Sequence, residues 1–195
     1  FVIDKDKYKG KYIEHTTNFL GTSGFAERTG IYIGAIKSGE PYGYGAFYYR
    51  REDTDEGVKQ TRDFVYIGNW ENGNLVASKE KVKKRIAGDV EFETGDTAIY
   101  EYILEGDWGI GDFVENPEGT YVEKYTTKEG DQVKKKRFNG SFDKENYNLL
   151  KGELYIDGVL AYRGEYKDGE AYNGTYYNIR GEVIGEIVDG VDQKK

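Results

Sequence analysis

One pattern limits what this chain can become. A large residue is followed two places on by glycine, two further by another large residue, and three beyond that by a second glycine. It is cleanest at Tyr32-x-Gly34-x-Ile36-x-x-Gly39. It recurs as Tyr66-x-Gly68-x-Trp70-x-x-Gly73, Leu104-x-Gly106-x-Trp108-x-x-Gly111, Tyr162-x-Gly164-x-Tyr166-x-x-Gly169 and Val183-x-Gly185-x-Ile187-x-x-Gly190. Tyr8-x-Gly10-x-Tyr12 and Phe138-x-Gly140-x-Phe142 repeat its first part. Self-similarity of this kind marks a repeat architecture.

Side chains two apart share one face of a strand. Each frame therefore puts two large groups on a face with a bare α-carbon between them. A ring from a neighbouring strand is expected to lie across that gap and close onto backbone. The closing glycine sits in "KSGE", "ENGN" and "KDGE", which suit tight turns with positive φ. Beyond the first turn, Gly43, Gly45, Phe47 and Tyr49 share one face of a returning strand. Related endings are "GTYV" at 119–122, "GELY" at 152–155 and "GTYY" at 174–177. Each unit reads as strand, turn, strand. Successive hairpins pairing edge to edge predict an all-β fold: one elongated antiparallel sheet forming a single repeat domain over residues 1–195.

The unit Y-x-G-x-W-x-x-G-x-x-x-G-x-G-x-Φ resembles the MORN (membrane occupation and recognition nexus) repeat. Residues 32–47 match it at every marked place, with Ile36 standing for the aromatic, and residues 66–73 and 162–169 match its first half. Units begin near 8, 32, 66, 104, 138, 162 and 183. The uneven spacing implies enlarged middle units, with long hairpins near 50–64, 79–98 and 121–137. The resemblance implies an open solenoid that acts as a scaffold, dimerisation element or targeting segment. The expected function is thus a non-enzymatic interaction module with a protein partner or a second copy of itself. A lipid- or glycan-binding module with an aromatic-lined face is the alternative.

Charge narrows the partners. The formal net charge is -8, which repels phosphate backbones and anionic bilayers. Nucleic acid is therefore not expected, an anionic membrane is disfavoured, and a glycan stays open. The basic run at 79–86 has its own explanation. A turn through Ala87-Gly88-Asp89 sets Ile86 opposite Val90, Arg85 opposite Glu91 and Lys83 opposite Glu93, so that the cations are paired. "KKKR" at 134–137 behaves alike: a turn after Glu129-Gly130 pairs Lys128 with Asp131, Glu123 with Lys136 and Tyr121 with Phe138. Residues 50–64 are too polar for core and read as an exposed hairpin.

No catalytic, metal or cofactor set emerges. Cysteine is absent and His15 is the single histidine, which rules out thiolate chemistry and a multi-histidine metal site. His15 reads as an ordinary exposed or packed residue. Asp53-x-Asp55-x-Gly57 and Asp4-x-Asp6 lack the spacing of a calcium loop. "GTSGF" at 21–25 lacks the spacing and the strand–turn–helix context of a nucleophile elbow. The chain starts at Phe1 rather than Met and reads as a processed or trimmed product, which leaves its compartment open.

The aromatics are the stronger lead. With 19 Tyr, 9 Phe and 2 Trp, large groups fall on both faces of the sheet. Tyrosine joins apolar area to a polar tip and is enriched at interfaces. The candidate binding surface is Tyr32, Tyr44, Phe47, Tyr49, Tyr66, Trp70, Trp108, Tyr162, Tyr166 and Tyr176. The same rings also suit a simple core.

Overall fold

The computed structural model describes residues 12–21, 24–55, 58–78, 80–109, 111–130 and 132–193. The partial frame starting at Tyr8, the Asp4–Asp6 pair and Ser23 lie outside them. Fourteen strands build one sheet: β1 (Tyr12–Gly21), β2 (Gly24–Lys37), β3 (Glu40–Asp55), β4 (Val58–Glu71), β5 (Asn74–Leu75), β6 (Val82–Glu91) and β7 (Thr97–Gly106), then β8 (Glu118–Thr126), β9 (Gln132–Phe142), β10 (Leu149–Ile156), β11 (Val159–Lys167), β12 (Glu170–Tyr177), β13 (Val183–Val188) and β14 (Val191–Gln193). Neighbours in sequence are neighbours in space, all antiparallel, except that the short β5 pairs only with β4 and β6 takes the next place beside it. The sheet is open: β1 and β14 end it on opposite sides.

The frame glycines fall into register. Gly34, Gly45 and Gly68 are paired across β2, β3 and β4. Gly119, Gly140, Gly152, Gly164 and Gly174 form a second line across β8 to β12. The rings do close onto these bare α-carbons, but not only from the next strand. Tyr32 folds over Gly34 of its own strand as well as Gly45 of its partner: a β-carbon at Gly34 would meet its Cζ at 2.7 Å, and one at Gly45 at 2.5 Å. Tyr162 covers Gly164 and Gly174 in the same way, while Gly68 is covered by Leu75 and Val82 instead of a ring. Extended backbone lets a side chain lean along its own strand, and the missing side chain two places on leaves room for it. The closing glycines sit in turns with positive φ, at 86° for Gly39, 77° for Gly73 and 83° for Gly169, after Ser38, Asn72 and Asp168, which are also positive.

One face is core. Tyr32, Phe47, Tyr66, Trp70, Leu104, Trp108, Phe138, Phe142 and Tyr162 are all buried, in one cluster that runs along the sheet. The sheet hides this face by rolling. Three strand spacings separate β1 from β4, about 14 Å in a flat sheet, yet Phe19 stacks on Tyr66 with ring centroids 4.1 Å apart. Pairing of β2 with β3 stops at Ile31, while β2 stays paired with β1 down to Gly24. The β1–β2 hairpin thus leaves the sheet plane next to Gly30 and folds over the inner face. His15 fastens it: Nε2 donates to the Gly73 carbonyl at 2.6 Å, and the ring meets Phe47 edge-on. It is a packed residue.

The enlarged hairpins are partly as expected. Residues 50–64 form a hairpin from Arg50↔Asp63 to Asp55↔Val58. Glu123 faces Lys136 and Tyr121 faces Phe138, with an ion pair of 3.2 Å at the former. Asp131 lies outside the described residues, so the expected Lys128 pairing does too. The expected turn at Ala87-Gly88-Asp89 is wrong. β6 runs straight through it to Glu91, and the chain turns at 92–96 with Gly95 at φ 85°. Lys83 pairs with Glu105 at 3.3 Å and Arg85 with Glu101, rather than with Glu93 and Glu91, and Ile86 faces Tyr102 rather than Val90. The reason lies in Gly88. A β-carbon there would stand 2.7 Å from Cζ of Tyr100, so this glycine lies under a ring instead of making a turn.

Candidate functional site

The expected binding surface is not presented to solvent. Tyr32, Phe47, Tyr49, Tyr66, Trp70, Trp108, Tyr162 and Tyr166 are buried, at 9% exposure or less. The first six belong to one end of the core with Phe19, and Tyr162 and Tyr166 pack with the half-buried Tyr176 at the other. Only Tyr44, 55% exposed on the outer face, is open. Frame rings such as Tyr32 and Tyr162 fill the sheet's own interior because the glycines beside them give them room.

Different aromatics remain accessible. A trough of about 390 Å³ lies on the inner face where it widens over the long middle strands. β4 gives Gln60, Arg62 and Phe64, β6 gives Ile86, β7 gives Tyr100 and Tyr102, β8 gives Tyr121, and the turn between β9 and β10 gives Asn146 and Tyr147. Strand parity puts these side chains on one face: Phe64, Ile86, Tyr102 and Tyr121 are successive cross-strand partners. Tyr102 and Tyr121 lie 4.6 Å apart and Tyr102 and Tyr147 lie 6.2 Å apart, forming a continuous aromatic floor and wall.

The wall is held at a cost. Tyr147 has φ 59°, a left-handed conformation that a bulky side chain rarely adopts and that costs of order 1–3 kcal/mol. Beneath it lies Lys84, 6% exposed. Its position between Val82 and Ile86 sends it into the core between Tyr66 of β4 and Leu104 of β7. Its ammonium donates to the Tyr147 hydroxyl, stands 4.9 Å from the Tyr147 ring centre and 5.2 Å from that of Tyr66, and reaches Asp112 at 3.5 Å. Tyr147 donates in turn to Asp112 at 3.4 Å. Burial lowers the lysine pKa, against the pull of Asp112. Asp112 arrives on the 107–117 loop, which is pinned through Trp108, Phe113 and the buried Pro117 and is tied to the Tyr147 turn by the Lys144 amide on Asn116 at 3.2 Å.

Among the described residues the lining contains no carboxylate. Asp53 and Glu123, on the same face, are engaged by Arg62 at 2.5 Å and Lys136 at 3.2 Å. Burial raises the pKa of Tyr100 and Tyr102. It also raises those of Tyr121 and Tyr147, helped by Glu123 and Asp112 respectively, so all four phenols stay neutral at ordinary pH. Among the described residues no three His, Cys, Asp or Glu side chains converge as a metal set.

Lys84 was legible from the alternation Val82-Lys84-Ile86, which places a cation on the apolar face. Tyr147 was not, because it sits in a turn outside any frame. No family model, curated protein or solved structure matches the chain.

Proposed function

We propose that this chain is a non-enzymatic interaction module, a divergent MORN-like hairpin array, whose recognition surface is the trough over β4 to β8. The observation behind this reading is the support of Tyr147. A strained backbone and a buried cation are two separate costs, and both fix one ring at the rim of the trough. Strain and buried charge concentrate at functional sites. The trough's chemistry favours holding over turnover. Its phenols are too weakly acidic to act as bases near neutral pH, and the carboxylates nearby are occupied by cations.

The test is a titration of protein carrying isotope-labelled tyrosine rings with sets of peptides and oligosaccharides, followed by NMR. Ring signals of Tyr100, Tyr102, Tyr121 and Tyr147 shift, that of Tyr44 does not, and the ligand is recovered chemically unchanged. In Lys84→Met the shifts shrink, because Tyr147 loses its anchor, while the fold stays intact. Removing one partner of an ion pair is costly when the other charge stays buried, but the partly exposed Asp112 regains water. Shifts confined to rings elsewhere, or a ligand converted to product, overturn the reading.

A further inference from the structure

We infer that the trough takes a short oligosaccharide of neutral sugars. The inference rests on the reading of the trough as the recognition surface and names its ligand class. Three features of the lining select it.

The first is the floor. β4, β6, β7 and β8 are hydrogen-bonded on both sides along the trough. No free backbone edge is available there, so an extended peptide cannot bind by adding a strand. Recognition has to come from side chains alone.

The second is charge. The one charged group among the described lining residues, Arg62, is held by Asp53, which also accepts from Arg51. The described lining thus has no carboxylate for a cation, and its one guanidinium already has a carboxylate partner for an acid to displace. The net charge of -8 adds a general repulsion of anionic ligands. A neutral ligand is the one that fits.

The third is the mixture of rings and polar tips. Among the described residues no protein group hydrogen-bonds the hydroxyls of Tyr100 and Tyr102 or the side-chain amide of Gln60. Asn146 uses its oxygen on the Asn148 amide and keeps its NH2 free. A sugar ring has an apolar C–H face that stacks on an aromatic ring and a rim of hydroxyls that both donate and accept. Neutral phenols and amides match that rim, since each can take either role. Three strand spacings from β4 to β8 make the trough about 14 Å long. Its volume of about 390 Å³ is in the range of small-ligand sites.

The experiment is calorimetric titration of the intact chain with cellohexaose, xylohexaose, mannohexaose and chitohexaose, with hexagalacturonate as the charged control. At least one neutral oligomer binds, and the uronate binds more weakly. Tyr100→Phe and Tyr102→Phe keep the rings and the fold but remove a hydroxyl, and each weakens binding about three- to tenfold. Gln60→Ala acts in the same direction, and Tyr44→Phe on the outer face leaves affinity unchanged. The inference is overturned if no neutral oligomer binds, if the uronate binds best, or if the Tyr100, Tyr102 and Gln60 variants bind as the parent does. If peptides still move the trough's ring signals while sugars do not, the recognition surface stands and only the ligand class is wrong. If neither moves them, both readings fail.

Discussion

A β-carbon at Gly164 would stand 2.5 Å from the Tyr162 hydroxyl and 2.6 Å from the Gly174 α-carbon, with a backbone carbonyl closer still. At Gly185, the same place in the last frame, the first heavy atom is 3.9 Å away. Gly164→Ala is therefore expected to cost about 3 kcal/mol, the upper end of overpacking. Gly185→Ala changes stability by less than about 0.5 kcal/mol, as other surface changes do. Urea melts of the two variants check the contrast. Asp63 gives a second prediction. It is 6% exposed and accepts from Tyr48 at 2.8 Å and from both ends of the Arg50 guanidinium. Burial pushes its pKa up, but these donors outweigh burial and bring it down to about 2, from 3.8. A carboxyl with a lowered folded pKa stabilises fully above its unfolded value, and the benefit is lost as pH falls through the folded one. Stability is expected to drop by about 2 kcal/mol between roughly pH 4 and pH 2, less what solvent at the half-exposed Arg50 screens away. Asp63→Asn removes that leg from a stability–pH curve. Glycine spacing made the packing positions visible in the sequence. Asp63 was hidden by its polar neighbours, since the contact that buries it is made across strands.

At the scale of elements, the β1–β2 hairpin is what closes the inner face. Phe19 contacts Phe47, Tyr49, Tyr66 and Trp108, rings from three other segments. Phe19→Ala leaves a hole that these rings cannot refill, and a loss of about 3–5 kcal/mol is expected. Near-ultraviolet circular dichroism of the variant checks it, because the stacked Phe19–Tyr66 pair is lost along with the stability. Nothing in the segment from Tyr12 to Gly21 announces this role, for its pattern is that of any edge strand. The misplaced turn at Gly88 has a related cause. Glycine marks a turn and a covered α-carbon equally well, and the two are told apart by whether a ring lies opposite. Tyr100 lies opposite Gly88, twelve residues later in the chain. The repeat frame resolved this ambiguity wherever it was intact, and Gly88 stands outside it.

Over the whole molecule the core thins toward one end. The rings around Tyr66 and Trp108 are covered by both the β1–β2 hairpin and the 107–117 loop, whereas β14 is exposed throughout and only Ile187 of β13 is buried. Local opening costs least where few apolar contacts hold the backbone. Hydrogen exchange is expected to be fastest over 183–193 and slowest over 62–70 and 98–106, with a gradient between them; uniform protection would contradict this picture. The linear strand order was legible because each frame carries its own turn. The roll of the sheet was not, since it depends on one hairpin leaving the plane. The paired glycines also constrain how this chain can change by descent. At Gly140–Gly152 and Gly164–Gly174 both sides of the contact already carry the smallest residue there is. A bulky mutation on one side thus has no compensating reduction available on the other, and trimming a ring leaves the clash with the facing backbone carbonyl in place.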